Sequence, residues 1–223
     1  MEVMPYSEHV NDVKRTSASP LVKQHAGITS SDWQQQLPIL GGHGITLREL
    51  TLEDAPSLFA MLTTEEVSRF ISPPPTSVEG FERFIAWTHR QRAAGQYVCF
   101  GVVPEGMTVA IGLFQLRSLE RGFRSAEWGF AIGSPFWGTG LFATGADLVL
   151  DFAFETVGAF RLEARSSTEN GRGNGALRKL GAVREGVLRN GLQLRGVNHD
   201  QNVWSILASD RQECKVTWEP RAA

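Results

Sequence analysis

The sequence predicts an α+β domain built on one mixed, mostly antiparallel sheet flanked by helices. Three observations carry this. Short runs alternate apolar and polar residues at period two, as in Ile45-Thr46-Leu47-Arg48-Glu49. Longer stripes recur at helical spacing, as in Phe81, Phe84, Ile85 and Thr88. Between residues 126 and 165 a strand, a helix and another strand follow one another, the crossover that a parallel pair requires.

In chain order, residues 1–40 read as a polar, partly irregular N-terminal extension, with Trp33, Leu37, Ile39 and Leu40 able to pack on the domain and Leu40-Gly41-Gly42 as a break. The domain is expected over 41–212, and 213–223 form a C-terminal tail. Residues 45–49 are the first strand. Thr51-Leu52-Glu53-Asp54 resembles a capping box with Asp at the third position, and Ala55, Leu58, Phe59 and Leu62 continue it as a helix. After Pro73-Pro74-Pro75, a second helix runs to Ala94-Gly95. The runs 97–103 and 109–116, rich in β-branched and aromatic residues and joined by Pro104-Glu105-Gly106, predict a hairpin; 126–132 continues it as the fourth strand. Ala146, Val149, Leu150, Ala153, Phe154 and Val157 form the stripe of a long helix, and 160–165 return to period two as the fifth strand. A shorter helix over 175–180 and strands at 186–189 and 202–208 complete the domain.

Composition narrows the function. With 223 residues, 42% hydrophobic and 21% charged, the chain suits one buried core plus an extension. A net charge of −2 offers no bulk basicity for nucleic acid or an anionic membrane. Cys99 and Cys214, the two cysteines, build neither a disulfide framework nor a CxxC zinc site, which fits a reducing cytoplasm. No apolar core marks a leader in the first twenty residues, and no run of eighteen apolar residues predicts a membrane span.

The informative stretch is Phe136-Trp137-Gly138-Thr139-Gly140-Leu141-Phe142-Ala143, between a strand and a long helix. Two glycines allow a tight turn, and the free N–H groups of a first helical turn favour an anion such as a pyrophosphate; the plainer reading is an ordinary turn. Neither a GxxxxGK[ST] loop nor a Rossmann GxGxxG is present. Just upstream, Glu127 stands among apolar neighbours, where desolvation favours a carboxylate acting as a base; the alternative is an ion pair with an arginine such as Arg124. His89 and His199 have no partner at metal-ligand spacing and read as surface residues. Cys99, in an apolar strand, reads as a buried small hydrophobe.

The order of these pieces resembles the GNAT superfamily of N-acetyltransferases and, more closely, its RimJ/RimL-like branch. Where the branch reads Glu-x-Gly-Tyr and then Tyr-Trp-Gly-x-Gly, this chain has Glu127-Trp128-Gly129-Phe130 and Phe136-Trp137-Gly138-Thr139-Gly140, with Asn170 ahead of Leu177-Arg178-Lys179-Leu180-Gly181. The likeness covers residues 45–210. It implies a GNAT-like sheet split at the fourth and fifth strands, where the pantetheine arm of acetyl-CoA pairs with backbone at Phe130, Ala131 and Ile132. It also implies that Trp137, Gly138, Thr139, Gly140, Phe142 and Ala143 surround the pyrophosphate. Asn170, helped by Asn174, would bind the pantetheine from the far side, and Asp200 and Trp204 would line the acceptor end. Glu127 would be the base for direct attack of a primary amine, a protein N-terminal α-amine or a small molecule, on the thioester, with no metal, in a cytoplasmic monomer or homodimer.

Three departures from the pattern stand out. Trp137 replaces the frequent Gln or Arg, Phe142 replaces Gly or Ala, and Leu177 occupies the place of a tyrosine that protonates the leaving thiolate in many members. Ser166, Ser167 or a water is then the proton donor, or the thiolate leaves unprotonated. A silent acyl-CoA-binding or interaction protein of the same fold is the alternative reading.

Overall fold

The computed structural model describes residues 32–211. They form one eight-stranded sheet with helices on both faces. A short 3-10 turn at Asp32–Gln34 brings Trp33 and Leu37 into the core, where Trp33 meets Phe123 edge-on at 5.5 Å. Leu40-Gly41-Gly42 is not a break: it forms β1 (Leu40–Gly42), an edge strand antiparallel to β2 (Ile45–Glu49), with the turn at His43-Gly44 taking positive φ. Three residues carry too little periodicity to show in the sequence.

The Thr51 amide donates to Asp54 Oδ2 at 2.7 Å, the reciprocal arm of the expected capping box. Asp54 does more than cap. Fully buried, it accepts from both terminal nitrogens of Arg48 at 2.8 Å and from the Ala110 amide at 2.8 Å, so one carboxylate ties β2, the start of α1 (Ala55–Leu62) and the loop that leads to Gly112. A short α2 (Glu65–Ser68), too brief to register as periodicity, precedes α3 (Val78–Ala93), which Ser77 caps by accepting from the Gly80 amide.

The hairpin forms as β3 (Tyr97–Pro104) and β4 (Gly112–Ser118), followed by β5 (Ser125–Ile132). The chain then crosses over through α4 (Leu141–Asp151), prolonged by a π-helical stretch at Phe152–Val157, into β6 (Arg161–Ser167). The next helix, α5 (Gly171–Lys179), starts four residues earlier than its glycine-rich sequence suggests. Asn170 caps it by accepting from the Gly173 amide at 2.8 Å, which offsets the poor helix propensity of the glycines. The two late strands are also longer than expected. β7 (Val183–Leu194) and β8 (Val197–Leu207) form a long hairpin whose turn, Arg195-Gly196, has φ of 49° and 79° at its central residues, the primed geometry that matches strand twist.

The sheet order is β1-β2-β3-β4-β5-β6-β8-β7. Every neighbour is antiparallel except β5 and β6, which pair in parallel over three positions only, Ser125 with Arg161 through Glu127 with Glu163. Beyond these, β5 runs on to Ile132 and β6 to Ser167 without pairing to each other, so the sheet splits where the motifs predicted. One core packs α4 and α5 on the face carrying Phe114, Trp128 and Ala164; the other packs α1 and α3 on the face carrying Tyr97, Leu113 and Ala131.

Candidate functional site

Backbone groups along the free edge of β5, at Phe130, Ala131 and Ile132, border the split. The Ile132 carbonyl is partly used, because the Trp137 indole donates to it at 2.8 Å. Alternation places Trp128 and Ser166 on the face toward α4, on opposite rims. Both carry a buried polar atom, Trp128 Nε1 and Ser166 Oγ, with no hydrogen-bond partner among the described residues. A buried orphan costs about 1–3 kcal/mol, so two beside one gap fit a polar ligand lying in it. Gly173 preserves that room: a Cβ there would stand 2.6 Å from Asn170 Nδ2 and 3.0 Å from Ser166 Oγ.

At the far end of β5 the loop before α4 has φ of 79° at Gly138 and 89° at Gly140, with Gly140 in the N-cap position. Thr139 Oγ1 donates to the Phe136 carbonyl at 2.8 Å, bracing the turn. The first-turn amides of α4, at Leu141, Phe142 and Ala143, have no partner within the helix and face the positive end of its dipole. Phe142 does not obstruct them. Its ring turns into the sheet, 4.4 Å from Phe130 and 5.9 Å from Phe114. Trp137, standing where a cation was expected, has the Arg172 guanidinium 4.1 Å over its ring, so α5 returns a positive charge to the loop across the split.

Glu127 is buried and ion-paired with Arg117, its register partner on β4, rather than with Arg124, which stacks over Phe160. Across the parallel pair it stands opposite Glu163, itself bonded to Arg161 at 3.0 Å. Tyr97 donates its hydroxyl to Gln115 on the same face, and burial, the first cause, pushes that hydroxyl's pKa well up. Burial likewise pushes up the Cys99 thiol, which removes it as a nucleophile. Cys214 and Tyr6 lie outside the described residues.

Asn170 keeps its Nδ2 without a hydrogen bond to any described residue, and this group faces Gly173 at the rim. Asn174 is saturated within the protein. Its Nδ2 donates to the Ser167 and Asn170 carbonyls, both at 2.8 Å, and its Oδ1 accepts from Asn202 Nδ2 and Trp204 Nε1, both at 3.0 Å. Its side chain therefore braces α5 against β6 and β8 instead of reaching the split. Trp204 is likewise packed in the core, 4% exposed. Asp200 Oδ1 accepts from the Asn190 amide at 2.8 Å and pins the irregular register of β7.

The cleft that sequence reasoning missed lies past the C-terminal end of β6, between α1 with the segment that follows it and the β7–β8 hairpin. It has a volume of about 580 Å³. Phe59, Phe70, Ile71, Pro73 and Pro74 form one wall, and Leu194 and Val197 of the hairpin form the other. The end of β5 reaches α1 directly: a Cβ on Gly133 would meet Met61 Sδ at 2.7 Å. The end of β6 supplies Glu169, paired at 3.5 Å with His199, so His199 is a cleft residue rather than a plain surface one. His89 is also engaged, its Nε2 lying 2.8 Å from the Leu50 carbonyl. The proline run was the signal available in the sequence; the hairpin wall had none.

Residues 45–183 match the acetyltransferase (GNAT) domain. The chain belongs to the GNAT acetyltransferase family. It is 30% identical over 173 residues to the N-acetyltransferase YoaA of Bacillus subtilis (strain 168), covering 76% of this chain and 97% of YoaA. YdaF of the same organism, provisionally named a ribosomal N-acetyltransferase, is 26% identical over 73% of this chain and 91% of its own. RimJ of Mycobacterium smegmatis, solved with CoA-disulfide, superposes with a TM-score of 0.68 at 21% identity, over 74% of this chain and 83% of RimJ, a likeness of fold. These relatives agree with the RimJ/RimL-like branch. GNAT acetyltransferases use acetyl-CoA, and this GNAT chain is an acetyltransferase. No helix among its described residues is long and apolar enough to cross a membrane.

Proposed function

We propose that this acetyltransferase binds acetyl-CoA in the split between β5 and β6 and transfers the acetyl group directly to a primary amine presented from the cleft. The observation that carries the reading is the split itself, bordered by two orphaned buried polar atoms and ending at a helix N-terminus with left-handed glycines.

The donor supplies an activated acyl group on a thiol leaving group. Amides at the start of α4 hold its pyrophosphate, and Arg172 adds the cation that Trp137 does not provide. Backbone at Phe130, Ala131 and Ile132, with Asn170 Nδ2 and Ser166 Oγ opposite, fixes the pantetheine arm. Glu127, ion-paired with Arg117, takes the ammonium proton through water. The free amine then attacks the thioester carbonyl; the C–N bond forms, the C–S bond breaks, and the proton that the attacking nitrogen sheds passes through water to the departing sulfur, so that free thiol leaves. A buried Cys99 with a raised pKa supports direct transfer over an acyl-enzyme. Positioning two reactants in adjoining spaces contributes up to roughly 7–11 kcal/mol in the best-oriented cases, more than base assistance of about 10²–10⁴-fold.

The test is free thiol released from acetyl-CoA across amino acids, polyamines, aminoglycosides and peptides with varied N-termini. Release that depends on one amine class supports the reading. No release above background from a protein that still binds acetyl-CoA overturns it in favour of a silent acyl-CoA binder.

A further inference from the structure

We infer that the cleft selects a primary amine whose apolar body also carries an anionic group, a carboxylate or a phosphate. This deepens the proposed function and rests on the cleft being its acceptor site.

The argument is one of charge and stiffness. The walls are apolar and partly rigid: Pro73 and Pro74 have fixed φ, and Phe59, Phe70 and Ile71 give a surface suited to an aromatic or branched aliphatic body. Onto these walls project two arginines from opposite sides. Arg69 comes from the segment after α2 and lies with its Cζ 5.1 Å over the Phe70 ring. Arg195 stands at the tip of the β7–β8 hairpin with φ of 49°. Among the described residues neither has a carboxylate partner, in contrast to Arg48, Arg92, Arg161 and Arg211 elsewhere in the fold. The carboxylate in the cleft, Glu169, is already beside His199. Glu169 is placed to receive an ammonium group next to the end of β6. The two guanidinium groups are left for an anion on the same molecule, and their planar donor forks suit carboxylate and phosphate equally. A polyamine meets two cations and one acid there, so the cleft disfavours it.

Three acceptors of similar body separate the cases: phenethylamine with no anion, L-phenylalanine with a carboxylate, and O-phosphotyramine with a distal phosphate. The expected result is that L-phenylalanine or O-phosphotyramine exceeds phenethylamine in kcat/KM by roughly 10- to 100-fold, as charge-assisted hydrogen bonds predict. In the R69Q/R195Q double variant that ratio should fall at least about tenfold. A ratio is read within each protein, so partial misfolding does not mimic the effect. Which anion is preferred identifies the source chemistry. Phenethylamine matching both anionic acceptors, or a preference untouched by the double variant, overturns the inference while leaving the acetyltransferase reading intact. If no amine is acetylated, the proposed function fails first, and calorimetric titration of L-phenylalanine and O-phosphotyramine into both proteins still decides. Weaker binding of an anionic amine to the double variant supports the inference, and equal or absent binding overturns it.

Discussion

Asn174→Ala separates a bracing residue from a ligand-binding one, and its effect can be worked from the hydrogen bonds. The side chain is 7% exposed and every polar position on it is used. Its partners lose unequally. The Ser167 carbonyl keeps the Asn170 amide at 2.9 Å, and the Asn170 carbonyl keeps the Asn174 amide at 3.0 Å. Asn202 Nδ2 and Trp204 Nε1, on residues 9% and 4% exposed, lose their acceptor outright. Each buried orphan costs about 1–3 kcal/mol, so the variant should be destabilised by roughly 2–6 kcal/mol. At about 2–4 °C per kcal/mol for a domain of this size, Tm falls by roughly 4–24 °C.

Urea unfolding followed by tryptophan fluorescence measures this, with Trp204→Phe and the double variant completing a cycle. Trp204→Phe removes one donor together with its need for an acceptor, so the double variant should recover about 1–2 kcal/mol relative to additivity. A loss below about 1 kcal/mol, accompanied by a large fall in CoA affinity, would refute the bracing role and return Asn174 to the cofactor.

Glu127→Gln should lower turnover by about 10²–10⁴-fold near neutral pH while CoA affinity holds; unchanged turnover in the free-thiol assay would remove Glu127 from the reaction. Arg172→Gln should raise the CoA dissociation constant by roughly three- to tenfold and reduce its salt dependence in calorimetry, and an unaltered constant would leave Arg172 a stacking residue only. Burial acts to raise the pKa of Asp54, but hydrogen bonds from Arg48, Thr51 and Ala110 outweigh it and hold the carboxyl below its ordinary value. Its stabilisation is thus present above the unfolded carboxyl pKa of about 3.9 and lost as pH falls from there through the lowered folded value. Asp54→Asn should cost roughly 1–3 kcal/mol at neutral pH and flatten the acid limb of the stability profile; an acid limb as steep as the parent's would assign that loss to other carboxylates.

Elements with a strong period were legible in the sequence. β2, α1, α3 and β6 begin and end within a few residues of their patterns, because one face of each meets a core and the other does not, whereas β5, which meets a core on both faces, shows as a nearly continuous apolar run. Long-range support was less legible. β7 has most residues exposed, so no alternation marks it, and β8 holds it through backbone pairing. At α5, three glycines argued for a late start, yet the Asn170 side chain supplies the missing helix start from outside the periodic stretch.

The candidate site divides along the same line. Glycines that must take positive φ announce themselves, so Gly138 and Gly140 could be assigned from sequence alone. Side chains whose role depends on a partner far along the chain could not. Glu127 was open to an arginine partner, but only the β4–β5 register makes that partner Arg117. Trp137 looked like the loss of a cation because its compensation, Arg172, sits thirty-five residues on and across the split. The proposed acceptor cleft is the extreme case, for its two walls belong to a proline loop and a hairpin tip that share no local pattern. On the proposed function, specificity is written where loops converge from distant segments, whereas donor binding is written in a contiguous strand, turn and helix. That is why residues 126–143 sufficed to suggest the donor, while the proposed acceptor site came into view only once Arg69 and Arg195 were seen to line one space.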